Sequence, residues 1–168
     1  MHELVAAMLQ NFQKIQLPAL HYLLSFKASE AKLEVPIHFF EEGLREEYRE
    51  LIVCYPKADF NTSEMEAYED NDILVWEQTV LNFEQPAKGD IVQPLQLDMV
   101  LVPLLAFDEK GYRVGYGKGF YDRYLNRCRP DVIKVGVSFF EAEPIIADTD
   151  QYDVPLTYCV TPKELYVF

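Results

Sequence analysis

The sequence predicts an α/β fold, a three-layer, Rossmann-like sandwich around a mostly parallel sheet. Apolar runs of strand length alternate with segments whose apolar residues recur at helical spacing, the pattern of strand–helix–strand units. The run Met99-Val-Leu-Val102 is apolar without a break, as in strands buried on both faces beneath helices. A glycine-rich run, Arg113-Val-Gly-Tyr-Gly-Lys-Gly-Phe-Tyr-Asp122, falls between a strand end and a helix start, where open α/β sheets bind their ligands. With 168 residues, 49% of them hydrophobic and 26% charged, the chain reads as one domain over 1–168.

Leu4, Val5, Met8, Leu9 and Phe12 predict an amphipathic helix over 3–14. Pro18 precedes a predicted strand, Ala19 to Phe26. Pro36 starts a second helix, Ile37 to Arg49, because proline suits a first turn. Glu50 to Tyr55 reads as a strand stopped by Pro56. Residues 57–72 are polar and read as a loop, 73–80 as a strand at a sheet edge, and 81–96 as a connection containing Pro86, Gly89 and Pro94. After the strand 98–102 and the glycine run come a helix over about 119–127, a strand Val132 to Phe139 and a short strand Thr157 to Val160. Phe120, Tyr121, Tyr124, Leu125 and Cys128 would form the inner face of that helix. There is no internal repeat and no low-complexity segment.

A net charge of −13 argues against general nucleic-acid binding, which needs a basic face. No apolar run approaches membrane-spanning length, and His2 and Glu3 do not open a leader peptide, so a cytoplasmic location is expected. Much of the acid sits at Glu30, Glu34, Glu41, Glu42, Glu46, Glu47, Glu64, Glu66, Glu69, Asp70 and Asp72, read mostly as solvated surface. Against it, residues 113–129 set Arg113, Lys118, Arg123, Arg127 and Arg129 beside one acid, Asp122, a basic island suited to an anion such as ATP or a polycarboxylate. Cys54, Cys128 and Cys159 are too scattered for a disulfide framework or metal knuckle. Cys54 and Cys159 read as reduced core, and Cys128, between two arginines, as a candidate for a mildly activated thiol. His2, His21 and His38 make no metal constellation.

Alternating glycines let a backbone approach a ligand closely and turn successive N–H groups toward a phosphate. Lys118 and Arg113 would add charge to the same anion, and Asp122 could hold a metal beside it. A tight turn is the competing reading of this spacing. The run is not the dinucleotide fingerprint, since its third glycine comes too soon. It is not a Walker A loop either, since no Ser or Thr follows Lys118.

The string from Asp98 to Leu125, with its core Phe107-Asp-x-x-Gly-x-Arg-x-Gly-x-Gly-Lys-Gly-Phe-Tyr-Asp122, resembles the signature of the 5-formyltetrahydrofolate cyclo-ligase (methenyltetrahydrofolate synthetase) family. Weaker similarity extends to Leu24-Ser25, Glu34, Phe83-Glu-Gln-Pro86, and Asp153 with the strand that follows it. The resemblance implies ATP-dependent closure of 5-formyltetrahydrofolate to 5,10-methenyltetrahydrofolate. The γ-phosphoryl group goes to the formyl oxygen, a folate nitrogen attacks the formyl carbon, and phosphate departs. Such transfer depends on positioning and charge neutralisation.

On that resemblance, Arg113 and Lys118 are catalytic cations, and Arg113, Val114, Gly115, Tyr116, Gly117, Lys118, Gly119, Phe120 and Tyr121 contact ATP. Leu24, Glu34, Tyr116, Gly117, Lys118, Gly119 and Phe120 contact the folate, and Asp122 and Asp153 hold Mg²⁺. The helix after the glycines would add its positive end. Tyr55, Tyr68 and Trp76 are further candidates for lining the pocket. The expected partner is a reduced folate, polyglutamylated or not, with no nucleic acid and no membrane, and the expected state is a monomer.

The chain departs from the family at two points. Tyr152 stands where a histidine often precedes the second aspartate. Members also open with a basic Lys-x-x-Leu-Arg segment that contacts ATP, whereas this chain begins Met1-His-Glu-Leu, with its first lysine at Lys14 and first arginine at Arg45. That departure motivates a second reading, a non-catalytic relative that binds folate or nucleotide. A sugar-phosphate isomerase or acyl-CoA transferase on a related scaffold is the third, and the Gly-Lys-Gly run argues against it.

Overall fold

The computed structural model describes residues 2–28 and 34–168; Met1 and the acidic position Glu30 lie outside the described residues. The helices are α1 (His2–Phe12), α2 (His38–Glu47) and α3 (Phe120–Leu125). The strands are β1 (Tyr22–Leu24), β2 (Ile52–Asp59), β3 (Glu64–Glu69), β4 (Val75–Gln78), β5 (Glu84–Lys88), β6 (Ile91–Val92), β7 (Met99–Val102), β8 (Ala106–Phe107), β9 (Arg113–Val114), β10 (Ile133–Val137), β11 (Tyr158–Val160) and β12 (Leu165–Val167).

Eight strands form one sheet in the order β12-β11-β10-β7-β1-β2-β3-β6. The five from β11 to β2 are parallel, and antiparallel strands close both edges. The α/β layering around a mostly parallel sheet is therefore as the sequence predicts. In β7, Met99 and Leu101 join the core under α1 and α2, while Val100 and Val102 join the core that includes Tyr124 and Leu125 of α3. All four are fully buried, which is why the run carries no polar alternation. On the first face Phe12 of α1 meets Phe40 of α2 edge to face, with centroids 5.2 Å apart. No helix among the described residues is long and apolar enough to cross a membrane.

Asp98 fastens β1 to β7. One carboxylate oxygen accepts the N–H groups of His21 and Tyr22, at 2.8 and 2.9 Å, and the other accepts Arg129 at 2.9 Å. The predicted strand 19–26 accordingly begins only at Tyr22.

Four expectations are corrected. Residues 57–72 are not a loop, because β2 runs on to Asp59 and pairs with β3 in a hairpin. Its turn is closed by Asp59, whose carboxylate accepts the N–H groups of Asn61 and Thr62. Residues 73–80 do not edge the main sheet, because β4 pairs with β5 in a separate ribbon. The 81–96 connection holds β5, β6 and a short 3-10 turn, Pro94–Gln96; Pro86 sits in a two-stranded ribbon, where a missing donor is tolerated. Finally β8, β9 and β12 were not expected. The β8–β9 turn is held by buried Asp108, which accepts the N–H groups of Lys110 and Tyr112 on one oxygen and of Ile146 on the other.

Candidate functional site

The glycine run leaves β9 and bends into α3. Gly117 (φ +85°) and Gly119 (φ +66°) take left-handed backbone that a side chain would strain. A Cβ on Gly115 or Gly117 would meet nothing within 4 Å, so the bend has open space above it. Among the described residues, the N–H groups of Gly115, Gly117, Lys118 and Gly119 donate to no backbone carbonyl. The bend thus offers donors to an anion, as a nest does. With six residues, α3 is too short to add much of the expected dipole.

The cations of the basic island divide sharply. Arg127 pairs with Glu64 at 3.1 Å, and Arg129 with Asp98. Arg123 donates to the carbonyls of Ser63 and Lys118, at 2.9 and 2.6 Å, so its charge stays uncompensated beside Gly119. Lys118 is exposed and makes no ion pair among the described residues. Arg113 departs from expectation. Its side chain is only 6% exposed, and its guanidinium is spent on Asp122 at 2.9 Å and the Val154 carbonyl at 2.6 Å. It faces protein rather than an incoming phosphate, because the half-buried carboxylate of Asp122 needs a partner.

The two aspartates expected to hold Mg²⁺ come together around Val154. Asp122 Oδ1 accepts the Val154 N–H at 3.0 Å as well as Arg113, and the next residue back, Asp153, accepts the Asp150 N–H on Oδ2 at 2.9 Å. Asp122 Oδ2 and Asp153 Oδ1 accept no hydrogen bond among the described residues. No cluster of three or more His, Cys, Asp or Glu exists among the described residues, which argues against an all-protein metal cage. One oxygen oriented by the protein and one left over on each of two aspartates fits Mg²⁺, which keeps waters and takes phosphates as its remaining ligands.

A cleft of about 410 Å³ opens where the parallel strands end, between Phe26 after β1, Pro103 to Leu105 after β7, and Ser138 to Phe140 after β10. Glu34 and Tyr116 line it, and the Tyr116 hydroxyl donates to the Glu34 carboxylate. Burial and that carboxylate push the Tyr116 phenol up from its ordinary pKa. Burial likewise raises Tyr121, with Arg113 opposing and Glu34 reinforcing the shift. Leu24 is a correction: it is fully buried in the core under α3, because the strand's pleat turns it away from the cleft. Phe120 is half-buried and packs edge-on against Phe60 at 5.3 Å. Tyr55, Tyr68 and Trp76 do not line this cleft. Instead Tyr55 packs against Trp76 at 5.3 Å, and Lys27 sits 3.7 Å over the Trp76 ring.

Cys128 is not activated, since burial pushes its thiol up to about 11 against the opposing field of Arg127. Cys54 and Cys159 are buried and free, as expected. The sequence reading missed Glu41. Grouped with solvated acids, it is instead buried on α2, accepting the Ser25 hydroxyl on Oε1 and the Tyr55 hydroxyl on Oε2, the latter at 2.9 Å. Its signal was the apolar stripe Phe40-x-x-x-Leu44 on which it borders.

The 5-formyltetrahydrofolate cyclo-ligase family model matches residues 39–162. The chain is 31% identical over 128 residues to the 5-formyltetrahydrofolate cyclo-ligase of Mycoplasma pneumoniae, covering 76% of this chain and 65% of that protein. It is 40% identical over 88 residues to that of Haemophilus influenzae, covering 51% and 43%. The chain thus spans less than two thirds of the length of these curated relatives. An NMR structure of Aquifex aeolicus 5,10-methenyltetrahydrofolate synthetase superposes with a TM-score of 0.73 at 27% identity, covering 97% of this chain and 80% of that one.

Proposed function

Because this chain belongs to the 5-formyltetrahydrofolate cyclo-ligase family, we propose that it closes 5-formyltetrahydrofolate to 5,10-methenyltetrahydrofolate with ATP, releasing ADP and phosphate. The observation that carries the proposal is the meeting of the open glycine bend with the cleft at the strand ends, joined through Tyr116 and Glu34.

In this reading the folate occupies the cleft and the ATP phosphates lie on the bend. The amides of Gly115, Gly117 and Gly119 receive phosphate oxygens, and Lys118 neutralises charge as the γ-phosphorus passes from the ADP oxygen to the formyl oxygen. The neighbouring folate nitrogen then bonds to the formyl carbon, and the C–O bond breaks to free phosphate. Arg113 acts as a positioning residue that fixes Asp122. Asp122 and Asp153 would hold Mg²⁺, which when bound supplies positive charge beside the phosphates. Glu34 would exchange its bond from Tyr116 for bonds from the pterin N–H groups, while Tyr116 and Phe120 offer ring faces. Cytoplasmic location and a monomeric state belong to the same reading.

The test mixes protein, MgATP and 5-formyltetrahydrofolate and follows the methenyl chromophore. Product should form, and Lys118→Ala should slow it by about 10²-fold or more. Undiminished turnover in that variant overturns the role of Lys118. No chromophore at high protein concentration overturns the reaction and leaves the non-catalytic reading standing.

A further inference from the structure

A second pocket, of about 370 Å³, lies on the sheet face that carries α3, near the start of β10. Lys110, Asp131, Val132, Lys134, Leu156 and Thr157 are among the residues that line it. It is separate from the cleft. Ser138, at the cleft, is four residues along from Lys134, roughly 13 Å of extended strand.

The charges in this pocket do not balance. Lys134 is half-buried, and its ammonium makes one long bond, to the Val132 carbonyl at 3.4 Å. Among the described residues neither Lys110 nor Lys134 is ion-paired, whether to a side-chain carboxylate or to the terminal one of Phe168. Asp131, which shares the wall, is 77% exposed and paired with Arg129 at 3.1 Å. Burial presses the Lys134 ammonium toward its neutral form, with Cys128 opposing the shift and the Arg113 guanidinium reinforcing it. Thr157 Oγ1 accepts the Lys134 N–H at 3.0 Å, which leaves the hydroxyl proton to donate. A half-buried cation normally has a counter-charge, and the described residues provide none within bonding reach.

We propose that this pocket is a binding site for a small oxyanion, a phosphate or carboxylate group held between Lys110 and Lys134 with the Thr157 hydroxyl as third donor. It is distinct from the phosphate site at the glycine bend and does not depend on it. The bound anion would supply the counter-charge that Lys134 lacks and would relieve its repulsion with Arg113.

Thermal melts of the full chain at constant ionic strength test this, with inorganic phosphate in one arm and glutarate in the other. At least one anion should raise the melting temperature saturably. Lys134→Met and Lys110→Met should each raise its half-maximal concentration by roughly tenfold or more. Lys118→Ala, which removes only the contribution of the glycine bend, should leave a saturable increment. Without anion, Lys134→Met should melt no lower than the parent. Whichever arm saturates identifies the ligand as phosphate or carboxylate. The site is refuted by an increment unchanged in Lys110→Met and Lys134→Met, by one abolished in Lys118→Ala, or by no saturable increment in either arm. If Lys134→Met fails to fold, ³¹P line broadening in Lys110→Met and Lys134→Gln decides in its place: retained parental broadening refutes the site and lost broadening supports it.

Discussion

Arg113 and Asp122 form an ion pair of 2.9 Å beside the glycine bend, with the arginine side chain only 6% exposed. The signature arginine is thus an internal brace. It ties β9 to α3, and through the Val154 carbonyl and N–H the same two side chains grip the segment that carries Asp153. Loss of either partner leaves a half-buried charge uncompensated.

Arg113→Met should therefore destabilise the fold by about 2–4 kcal/mol, somewhat less than the roughly 3–5 kcal/mol for breaking a fully buried pair, because Asp122 keeps some solvent. Pairing it with Asp122→Asn should recover part of the loss. Denaturant melts of the four proteins in the cycle read the coupling. Strict additivity would mean that the brace contributes nothing.

The glycines separate conformation from occupancy. Gly117→Ala forces a methyl group onto left-handed backbone and should cost about 1–2 kcal/mol of stability. Gly115 does not have a positive φ and has open space around it, so Gly115→Ala should melt with the parent protein. If phosphates fill that space, Gly115→Ala should still weaken ATP binding by about tenfold, measured by calorimetry. Parental affinity in this variant would place the nucleotide elsewhere.

Much of this arrangement was legible in the sequence because it is written locally. An unbroken apolar run such as Met99–Val102 has one plausible home, and a dense glycine pattern between strand and helix marks a bend. The β2–β3 hairpin was missed although buried Met65 and Ala67 alternate with exposed Glu64 and Glu66. The acidic residues dominated the composition and hid a period of two. Long-range pairing decided the rest. Nothing near Arg113 announces that its partner lies nine residues on and its second acceptor at Val154, and the pleat that buries Leu24 follows from the register of β1 against β2 and β7. Glu41 shows the same limit, since its partners are Ser25, just past the end of β1, and Tyr55 in the neighbouring β2.

Glu41 should be a costly acid to remove. Glu41→Ala strands two hydroxyls and opens space beneath α2, with an expected loss of about 2–4 kcal/mol. Tyr55→Phe deletes one bond and keeps the ring on Trp76, so about 1 kcal/mol is expected. Trp76 is the single tryptophan, and its fluorescence in urea melts reads both variants.

Asp98 should set part of the acid limb of stability. Burial alone would raise its carboxyl, but the N–H groups of His21 and Tyr22 together with Arg129 outweigh that and hold it below the ordinary value. A carboxylate depressed in the folded state binds fewer protons there than in the unfolded chain. Its contribution is complete above the unfolded value of about 3.9 and is lost as pH falls through the lower folded value. Asp98→Asn removes this titration. It should lower stability at neutral pH, since the amide cannot pair with Arg129 or accept at two oxygens, and it should flatten the decline below about pH 4. Urea midpoints from pH 2 to 7 for the two proteins check this. Parallel curves, offset but equal in slope at low pH, would show that Asp98 is not one of the groups whose protonation unfolds the chain.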